Sequence, residues 1–334
     1  MKIMVFDVPA TNGGALTILN QYYKKAIKDR DNEWYFVIST PNLKNTENVK
    51  VLKYPWVKKS WIHRFYFDKF MAKEIINKYE IDEILSLQNI TIDKIDKKQT
   101  LYLHQPLPFV EKKYRLTEDL KLWSYQNIIS KMIFKSVKNA DSIIVQTNWM
   151  KEACVKKTNC SPRKIKVIQP DFEINIKNIY SNIKSDTVLF FYPASGLKYK
   201  NHKIIVEAAE LLKEKNILNY KIVFTLKGNE NDDVKNLYNK VNKLKLPIEF
   251  IGSISLDEVY NYYSKCILIF PSYIETFGLP LLEAKMHGCP ILASDCEFSH
   301  EILEKYHKAN FFNPFDKKEV ANLIELTINN YKIQ

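Results

Sequence analysis

The stretch Lys265–Asp295, KCILIFPSYIETFGLPLLEAKMHGCPILASD, decides the fold of this 334-residue chain. Its apolar run Cys266–Phe270 predicts a buried strand, which a Pro-Ser pair ends. Pro280 stands where the first turn of a helix would begin, and Gly288 stands where that helix would end. A second apolar run starts at Pro290, so the stretch predicts a strand–loop–helix–strand unit. In such units ligands bind at the carboxyl ends of the strands.

Two carboxylates frame the predicted loop and helix start. Glu275 lies in the loop, and Glu283 lies eight positions further, about one turn inside the helix. Each ionised carboxylate accepts hydrogen bonds only, so each can take a pair of sugar hydroxyls. Between them, the backbone N–H groups of Phe277, Gly278 and Leu279 would lie at a helix N-terminus, which suits a diphosphate. A nucleotide-sugar offers all these groups, although two Glu at this spacing could also be ordinary surface residues.

The full string Pro-Ser-x-x-Glu-x-Phe-Gly-Leu-Pro-x-x-Glu-Ala over 271–284, with Gly-x-Pro at 288–290, is more specific than the spacing. It resembles the donor-site signature, two Glu separated by seven residues, of the large family 4 of retaining glycosyltransferases. The resemblance implies an α/β fold with two doubly wound Rossmann-like domains facing a central cleft, known as GT-B. It also implies transfer of a sugar, with retention, from a nucleotide-diphosphate sugar to a hydroxyl acceptor.

The resemblance assigns roles to residues of the second half. Lys200 would contact the donor diphosphate, and a lysine at a predicted helix start opposes the helix dipole, which by itself hints at a bound anion. Glu275 would hold the transferred hexose, and Glu283 would hold the ribose. Many family members carry an Arg five residues before this lysine. Ser195 occupies that position here, so the details of phosphate binding are expected to differ.

Two sites in the first half complete the predicted active site. Gly13 and Gly14 follow the first predicted strand, where backbone can approach a phosphate closely. The dinucleotide fingerprint Gly-x-Gly-x-x-Gly is absent, and a plain turn is the alternative. His104 follows an apolar run, so its imidazole is expected at the end of a parallel strand, unless it is a structural histidine. By the resemblance, the glycines face the donor diphosphate and the histidine lies near the donor sugar.

We expect neither a metal nor a cofactor, because Lys200 and backbone dipoles would stabilise the departing diphosphate. The co-substrate would be a UDP-sugar, with GDP- and dTDP-sugars as alternatives. Two other functions stay open at this point. One is a nucleotide-sugar epimerase of the same fold, and the other is a non-catalytic scaffold that binds sugar or lipid.

The length leaves room for two Rossmann-like domains. We expect an acceptor-side domain over 1–170, a linker over 171–185 and a nucleotide-sugar-binding domain over 186–315. By the resemblance, a last helix in 316–334 crosses back to the first domain. Five cysteines without a Cys-x-x-Cys predict reduced thiols in the cytoplasm. We expect no signal peptide and no membrane span.

The positive charge of the chain is concentrated in its first half. Residues 1–170 contain 30 Lys and Arg against 17 Asp and Glu, whereas residues 171–334 contain 20 against 21. This asymmetry predicts an anionic partner for the first half, although a lysine-rich genome is an alternative explanation. No nucleic-acid-binding module is recognisable, so we expect no nucleic-acid partner.

The segment Ser60–Tyr79 predicts a helix in which basic residues are interspersed among aromatic residues. One interpretation packs Trp61 and Phe65 on the core of the first domain, together with Ile75 and Tyr79. The other places the helix at an anionic membrane surface, where basic and aromatic residues are favoured. A peripheral enzyme at the inner face of a bacterial membrane, acting on a lipid-linked glycan for capsule or O-antigen, would fit the second interpretation. The candidate membrane-surface residues are Lys58, Lys59, Trp61 and Arg64.

Overall fold

The structure, a computed structural model, describes residues 1–11, 13–171, 176, 178–181 and 185–333. It divides into two compact units, Met1–Phe172 and Glu173–Gln334. Each unit is built on a parallel sheet with helices in the connections, which confirms the predicted fold of two Rossmann-like domains. Much of the predicted linker 171–185 lies outside the described residues.

The sheet of the first unit has seven parallel strands in the order β3-β2-β1-β4-β5-β6-β7. The chain builds outward from β1 to β3 and then crosses to the other side of β1, so the strand order reverses between β1 and β4. The carboxyl ends of these two strands therefore form a switch point of the kind that binds ligands. The strands are β1 Lys2–Asp7, β2 Glu33–Ile38, β3 Val49–Lys53, β4 Glu83–Ser86, β5 Lys98–Tyr102, β6 Ser142–Val145 and β7 Ile165–Val167.

Helices cover both faces of this sheet. Along β1, Met4 and Phe6 belong to one hydrophobic core and Val5 to the other, as the two-residue period of a strand requires. The first core is closed by the helix predicted over 60–79, and the second is closed by α1. The helices are α1 Gly13–Lys28, α2 Trp61–Tyr66, α3 Ala72–Lys78, α4 Leu120–Ser124, α5 Ser130–Asn139 and α6 Asn148–Thr158. Two π-helical turns, Phe67–Met71 and Tyr125–Ile129, join α2 to α3 and α4 to α5.

The helix predicted over Ser60–Tyr79 is present, but its first half is oriented differently from the core-packing interpretation. Ile75 is buried as expected, whereas Trp61 and Phe65 are 71% and 57% exposed, so their predicted packing on the core is wrong. The π-helical turn at Phe67–Met71 explains the difference. It inserts one residue into the helix and so rotates the preceding residues by about 100° relative to an uninterrupted α-helix.

The second unit has a six-stranded parallel sheet in the order β10-β9-β8-β11-β12-β13. Its strand order reverses between β8 and β11, and β11 is the first strand of the stretch Lys265–Asp295. Sequence analysis did not anticipate β13, nor β3 of the first unit. Both are edge strands with few fully buried residues, so their apolar signal is weak. The strands are β8 Val188–Tyr192, β9 Tyr220–Phe224, β10 Ile248–Phe250, β11 Ile267–Phe270, β12 Ile291–Ser294 and β13 Ala309–Phe312.

The helices of the second unit include the three predicted above, which are α7 just after Lys200, α10 in the stretch Lys265–Asp295 and α12 within 316–334. The last helix, α12, packs along α7 within the same unit. Its predicted crossing to the first domain stays a prediction. Within the described part of the chain, no helix is both long and apolar enough to span a bilayer. The helices are α7 His202–Glu214, α8 Asp232–Leu244, α9 Leu256–Tyr263, α10 Leu279–Met286, α11 Glu297–Ile302 and α12 Lys317–Ile333.

Candidate functional site

The predicted site residues of the second unit gather where its strand order reverses. β8 pairs with β9 on one side and with β11 on the other, so the carboxyl ends of β8 and β11 lie side by side. The loop 193–201 leaves β8, and the loop 271–278 leaves β11. In open α/β sheets this is the place where ligands bind.

Backbone contacts hold these two loops together. The Tyr273 N–H donates to the Tyr199 carbonyl at 3.2 Å, and the Ser272 hydroxyl donates to the same carbonyl at 3.4 Å. Asn201, in the left-handed region at φ 60°, donates its side-chain amide to the Pro314 carbonyl at 2.8 Å. These bonds fix the short 3₁₀ turn that carries Lys200 against the loop that carries Glu275.

Lys200 and Glu275 form an ion pair in which the Lys200 Nζ donates to the Glu275 Oε1. Their side chains are only 17% and 15% exposed. The lysine Nζ also lies 5.7 Å from the centre of the Tyr199 ring. The structure thus brings together the two predicted catalytic residues of this unit, in contact with each other.

Helix α10 begins at Leu279, with Pro280 in its first turn, one residue before the predicted start. Gly278 precedes the helix at φ +81°, a left-handed conformation that glycine adopts without steric cost. A Cβ at Gly278 would lie 3.2 Å from the Leu281 Cδ1. The first N–H groups of a helix have no partner within it, and the helix dipole makes this end positive. A helix start of this kind suits an anion, and its binding of a diphosphate stays a prediction.

Glu283 lies one turn into α10 and is 7% exposed. The Tyr263 hydroxyl donates to its Oε2 at 3.2 Å. Burial raises the pKa of Glu283 to about 7, and the bond from Tyr263 offsets part of this rise. Hydroxyl groups of a ligand that donate to this carboxyl would favour its ionised form. Tyr263 was not singled out from the sequence, because nothing local links the end of α9 to α10.

Ser195 is exposed in the loop 193–201, at the position where the resembled family often has Arg. The next cation along the chain is Lys198, whose Nζ lies 4.0 Å from the Asp233 Oδ2. Gly196 lies so close to α8 that a Cβ would come within 2.6 Å of the Val234 Cγ2. The loop is therefore packed against α8, and Lys200 is the cation directed towards Glu275.

In the first unit, His104 lies two residues beyond the end of β5, as predicted. Its backbone N–H donates to the Asn89 Oδ1 at 2.7 Å. The residue is half-buried. Desolvation by burial lowers the pKa of the imidazole to about 4, and a hydrogen bond with the Leu87 backbone offsets a small part of the decrease. The ring is therefore neutral at physiological pH and has one donor and one acceptor nitrogen. Its action on a donor sugar stays a prediction.

Gly13 and Gly14 open helix α1 directly after the first loop. Gly13 has φ +59°, and a Cβ on either glycine would meet no described atom within 4 Å. The backbone here is thus open to a ligand, although its binding of a diphosphate stays a prediction.

Three buried polar side chains at the carboxyl edge of the first sheet escaped the sequence analysis. Asp7 ends β1, Ser39 follows β2 directly, and Gln88 lies two residues after β4. Each has at least one side-chain oxygen without a hydrogen-bond partner of normal geometry among the described residues. Burial raises the pKa of Asp7 to about 8, and a contact with the Ala10 backbone and the charge of Arg64 lower it in part. The sequence signal that could have identified Asp7 is an acidic residue at the end of an apolar strand.

The described residues contain no group of three or more His, Cys, Asp or Glu side chains placed to hold a metal ion. The sequence does contain one Asp-x-Asp, a pair of carboxylates that could in principle bind a divalent cation. This pair, Asp29 and Asp31, lies in the turn before β2, at the amino-terminal edge of the first sheet. The Asp29 Oδ2 accepts hydrogen bonds from Asn32 at 2.9 Å and from the Trp34 indole at 3.0 Å. It therefore stabilises a turn.

Comparison with known proteins finds similarity to glycosyltransferases. Residues 175–334 match the family described as glycosyl transferases group 1. Over 300 residues the chain is 24% identical to the O-antigen chain mannosyltransferase RfbU of Salmonella typhimurium, a match that covers 87% of this chain and 76% of RfbU. Over 176 residues it is 30% identical to the capsular polysaccharide biosynthesis glycosyltransferase CapH of Staphylococcus aureus, covering 51% of this chain and 48% of CapH.

Among solved structures, Anabaena HepE in complex with UDP and glucose aligns with a TM-score of 0.69. The alignment covers 99% of this chain and 91% of HepE at 16% identity, so it concerns the fold, which is that of the GT-B glycosyltransferases. The match of residues 175–334 to glycosyl transferases group 1, together with the similarity to RfbU, identifies the protein as a glycosyltransferase.

Proposed function

We propose that this glycosyltransferase moves a sugar, with retention and without a metal, from a nucleotide-diphosphate sugar to a hydroxyl acceptor. The observation that carries the proposal is the contact between Lys200 and Glu275 at the strand switch point of the second unit. A cation for phosphate, a carboxylate for sugar hydroxyls and the start of α10 all belong to the same two loops. Retention rests on the resemblance of the Glu275–Glu283 string to family 4.

Each group has one task in this proposal. Lys200 and the N–H groups at Phe277–Leu279 stabilise the negative charge that develops on the leaving diphosphate, which is usually the largest catalytic contribution. Glu275 accepts hydrogen bonds from the hydroxyls of the transferred hexose. Glu283 accepts hydrogen bonds from the ribose. By the resemblance to family 4, His104 would supply a hydrogen bond to the sugar or to the leaving oxygen.

The donor and acceptor follow from chemistry and from the relatives. A UDP-sugar is our proposed donor, supported by the UDP and glucose bound in HepE. RfbU is an O-antigen chain mannosyltransferase, and CapH is a glycosyltransferase of capsular polysaccharide biosynthesis. We therefore assign this protein to the assembly of a bacterial surface polysaccharide, with a lipid-linked glycan as its acceptor.

The test is product formation with UDP-, GDP- and dTDP-sugars in the presence of a chelator, followed by determination of the anomeric configuration of the product. Glu275→Gln should lose transfer while its melting temperature stays close to that of the wild type. Glu297→Gln, an exposed acid on α11 of the same unit, is the matched control and should keep full activity. Transfer that needs a metal or inverts the anomeric carbon would overturn the proposed mechanism. Conversion of the donor into a different nucleotide-sugar in the absence of an acceptor would identify the protein as an epimerase.

The exposed side of helix α2 and the following π-helical turn supports a second part of the proposal, binding to an anionic membrane. Large apolar side chains cover this surface, and each of them is at least 49% exposed. Lysines lie beside them, and the Lys69 Nζ sits 5.2 Å from the centre of the Phe65 ring. The exposed apolar residues are Trp61 (71%), Ile62 (79%), Phe65 (57%), Tyr66 (49%) and Phe70 (49%).

This combination fits shallow insertion into a bilayer, with rings among the lipids and ammonium groups at the phosphates. The net charge of +13 over residues 1–170 adds long-range attraction to anionic lipid. Of the four residues expected at the membrane, Lys58, Lys59 and Trp61 are exposed. Arg64 differs, because its guanidinium contacts Asp68 at 2.5 Å and is only 18% exposed.

Vesicle sedimentation tests the membrane part independently of catalysis. The wild type should bind vesicles that contain phosphatidylglycerol, and binding should weaken with salt. The double variant Trp61→Ser/Phe65→Ser should lose this binding while it keeps its fold, because both residues are exposed. Leu326→Ser, an exposed leucine on α12, is the control and should bind like the wild type. Equal binding by the double variant and the wild type would refute this surface.

A further inference from the structure

Helix α9 ends at the predicted donor site, where Tyr263 contacts Glu283. Tyr263 is the last residue of α9 and is fully buried, whereas Glu283 keeps 7% of its surface exposed. The tyrosine hydroxyl donates to the Glu283 Oε2 at 3.2 Å. One carboxyl oxygen therefore has a partner inside the protein, and the other is left for a ligand.

The rings around Tyr263 leave it little freedom. Its ring lies 5.9 Å from Phe191 on β8 and 5.7 Å from His287, the residue directly after α10, measured between ring centroids. His287 in turn is held by its Nδ1 at 2.7 Å from the Glu283 carbonyl. The hydroxyl of Tyr263 is thus aimed by packing from two elements, so it can fix the orientation of the carboxyl.

We propose that Tyr263 is a positioning residue for nucleotide recognition, which orients Glu283 towards the ribose hydroxyls, and that binding of a ribonucleotide releases the proton of Glu283. This inference rests on the proposed function, in which Glu283 holds the ribose. The inference adds Tyr263 to the residues of the donor site, and it adds the release of a proton to the binding reaction.

The surroundings of Glu283 explain why a proton is involved. No described cation forms an ion pair with this carboxyl. Lys285, on the same helix, donates instead to the Ile302 carbonyl at 2.8 Å. The neighbouring titratable groups are Tyr260 and Tyr263 of α9, Cys266 before β11, and His287 and Cys289 at the end of α10.

Without a cation, burial makes the ionised carboxylate costly, and it raises the pKa of Glu283 to about 7 in the free protein. Two ribose hydroxyls that donate to the carboxylate favour its ionised form. Ligand binding must therefore shift the carboxyl towards ionisation and release a fraction of a proton at neutral pH. By linkage, affinity rises with pH up to the pKa of the free protein and then levels off.

Binding of UDP-glucose, measured by calorimetry between about pH 6 and pH 8.5, tests the inference, because a diphosphate diester has no proton of its own to lose there. For the wild type we expect affinity to rise about tenfold over this range, with proton release seen as a dependence of the heat on the buffer. Tyr263→Phe removes one hydrogen bond to the ionised form. Its pH midpoint should therefore rise, by up to about one pH unit, and its affinity at neutral pH should fall.

Tyr260→Phe is the matched control, because Tyr260 is on the same helix and donates no hydrogen bond to Glu283 among the described residues. It should keep the wild-type pH profile. Glu283→Gln should abolish the pH dependence and the buffer-dependent heat. The ligand 2′-deoxy-UDP-glucose should bind the wild type more weakly and release less proton than UDP-glucose.

The outcomes separate this inference from the function it rests on. If Glu283→Gln weakens binding but Tyr263→Phe leaves the pH midpoint unchanged, the positioning role of Tyr263 is wrong and the ribose role of Glu283 survives. If Glu283→Gln binds UDP-glucose as the wild type does, the ribose role itself is wrong. A wild type whose affinity does not change with pH overturns the release of the proton.

Discussion

Lys200 donates a hydrogen bond to Glu275, although 75 positions separate the two residues along the chain. They meet because β8 and β11 are neighbours in the sheet and each residue lies on the loop that follows its strand. An unpaired charge in a partly buried site costs several kcal/mol, so the pair is stabilised when no ligand is bound. In the proposed function, a diphosphate would compete with Glu275 for the Lys200 ammonium, which would leave the Glu275 carboxylate more available to the sugar.

Removal of the Lys200 charge should therefore impair both the stabilisation of the diphosphate and the placement of Glu275. In Lys200→Met the diphosphate loses its cation, and Glu275 is left half-buried without a partner. We expect kcat to fall by about 10²–10³, the size of effect seen when one electrostatic stabiliser of a transition state is removed. Steady-state kinetics with the donor that the wild type accepts measures this.

Lys203→Met is the matched control, because this lysine lies three residues further, is 72% exposed and pairs only weakly with Glu207 at 3.7 Å. Its kinetics should match the wild type. Activity in Lys200→Met close to that of the control would show that the ion pair is structural.

Gly278→Ala should lower stability through the backbone alone. A residue with a Cβ pays about 1–2 kcal/mol in the left-handed region. The added Cβ would also press on Leu281 at 3.2 Å. Urea unfolding followed by circular dichroism measures the loss. Gly14→Ala is the comparison, because a Cβ there meets open space within helix α1. Its stability should stay unchanged or rise slightly, and an equal loss in both variants would contradict the backbone argument.

Asp7 should make stability depend on pH in a direction that is unusual for a carboxyl group. Its pKa is about 8 in the folded chain against an ordinary 3.8, so the folded state binds the proton more tightly than the unfolded state. The free energy of unfolding therefore falls as pH rises from about 4 to about 8, with a slope of at most about 1.4 kcal/mol per pH unit from this group.

Asp7→Asn removes this dependence, since its amide has no proton to lose in this range. In urea unfolding, the free energy of unfolding of Asp7→Asn should therefore increase relative to that of the wild type as pH rises from 5 to 8. Glu283 contributes in the same direction over a narrower range, so Glu283→Gln is a useful second variant. Parallel pH profiles of Asp7→Asn and the wild type would show that Asp7 is ionised in the folded protein.

His104→Gln separates catalysis from stability in the first unit. Glutamine keeps a donor and an acceptor but cannot place them as a ring does, so kcat should fall while the melting temperature changes little. A neutral histidine already lacks charge at physiological pH, because its pKa is about 4. The loss should therefore not depend on pH between about 6 and 8. A large loss of stability with unchanged kcat would identify His104 as structural.

The helix that carries the aromatic surface shows where local patterns mislead. Spacing along the sequence predicted the helix itself over 60–79, because the basic and apolar residues recur at helical intervals. The same spacing directed Trp61 and Phe65 to the core, since it assumes an uninterrupted α-helix. A single π-helical turn changes the phase by one residue, which a uniform α-helical period does not anticipate.

The sequence by itself determined the strand–loop–helix–strand unit of residues 265–295. Its signals act over a few residues: an apolar run, a proline in the first turn of the helix and Gly288 where the helix would end. Only the tertiary structure decided which side chains meet, such as Lys200 with Glu275 and Tyr263 with Glu283. It also decided that Asp7 is buried and that Trp61 is exposed. These depend on the order of parallel strands and on packing between elements that are distant in the chain, which local periodicity does not encode.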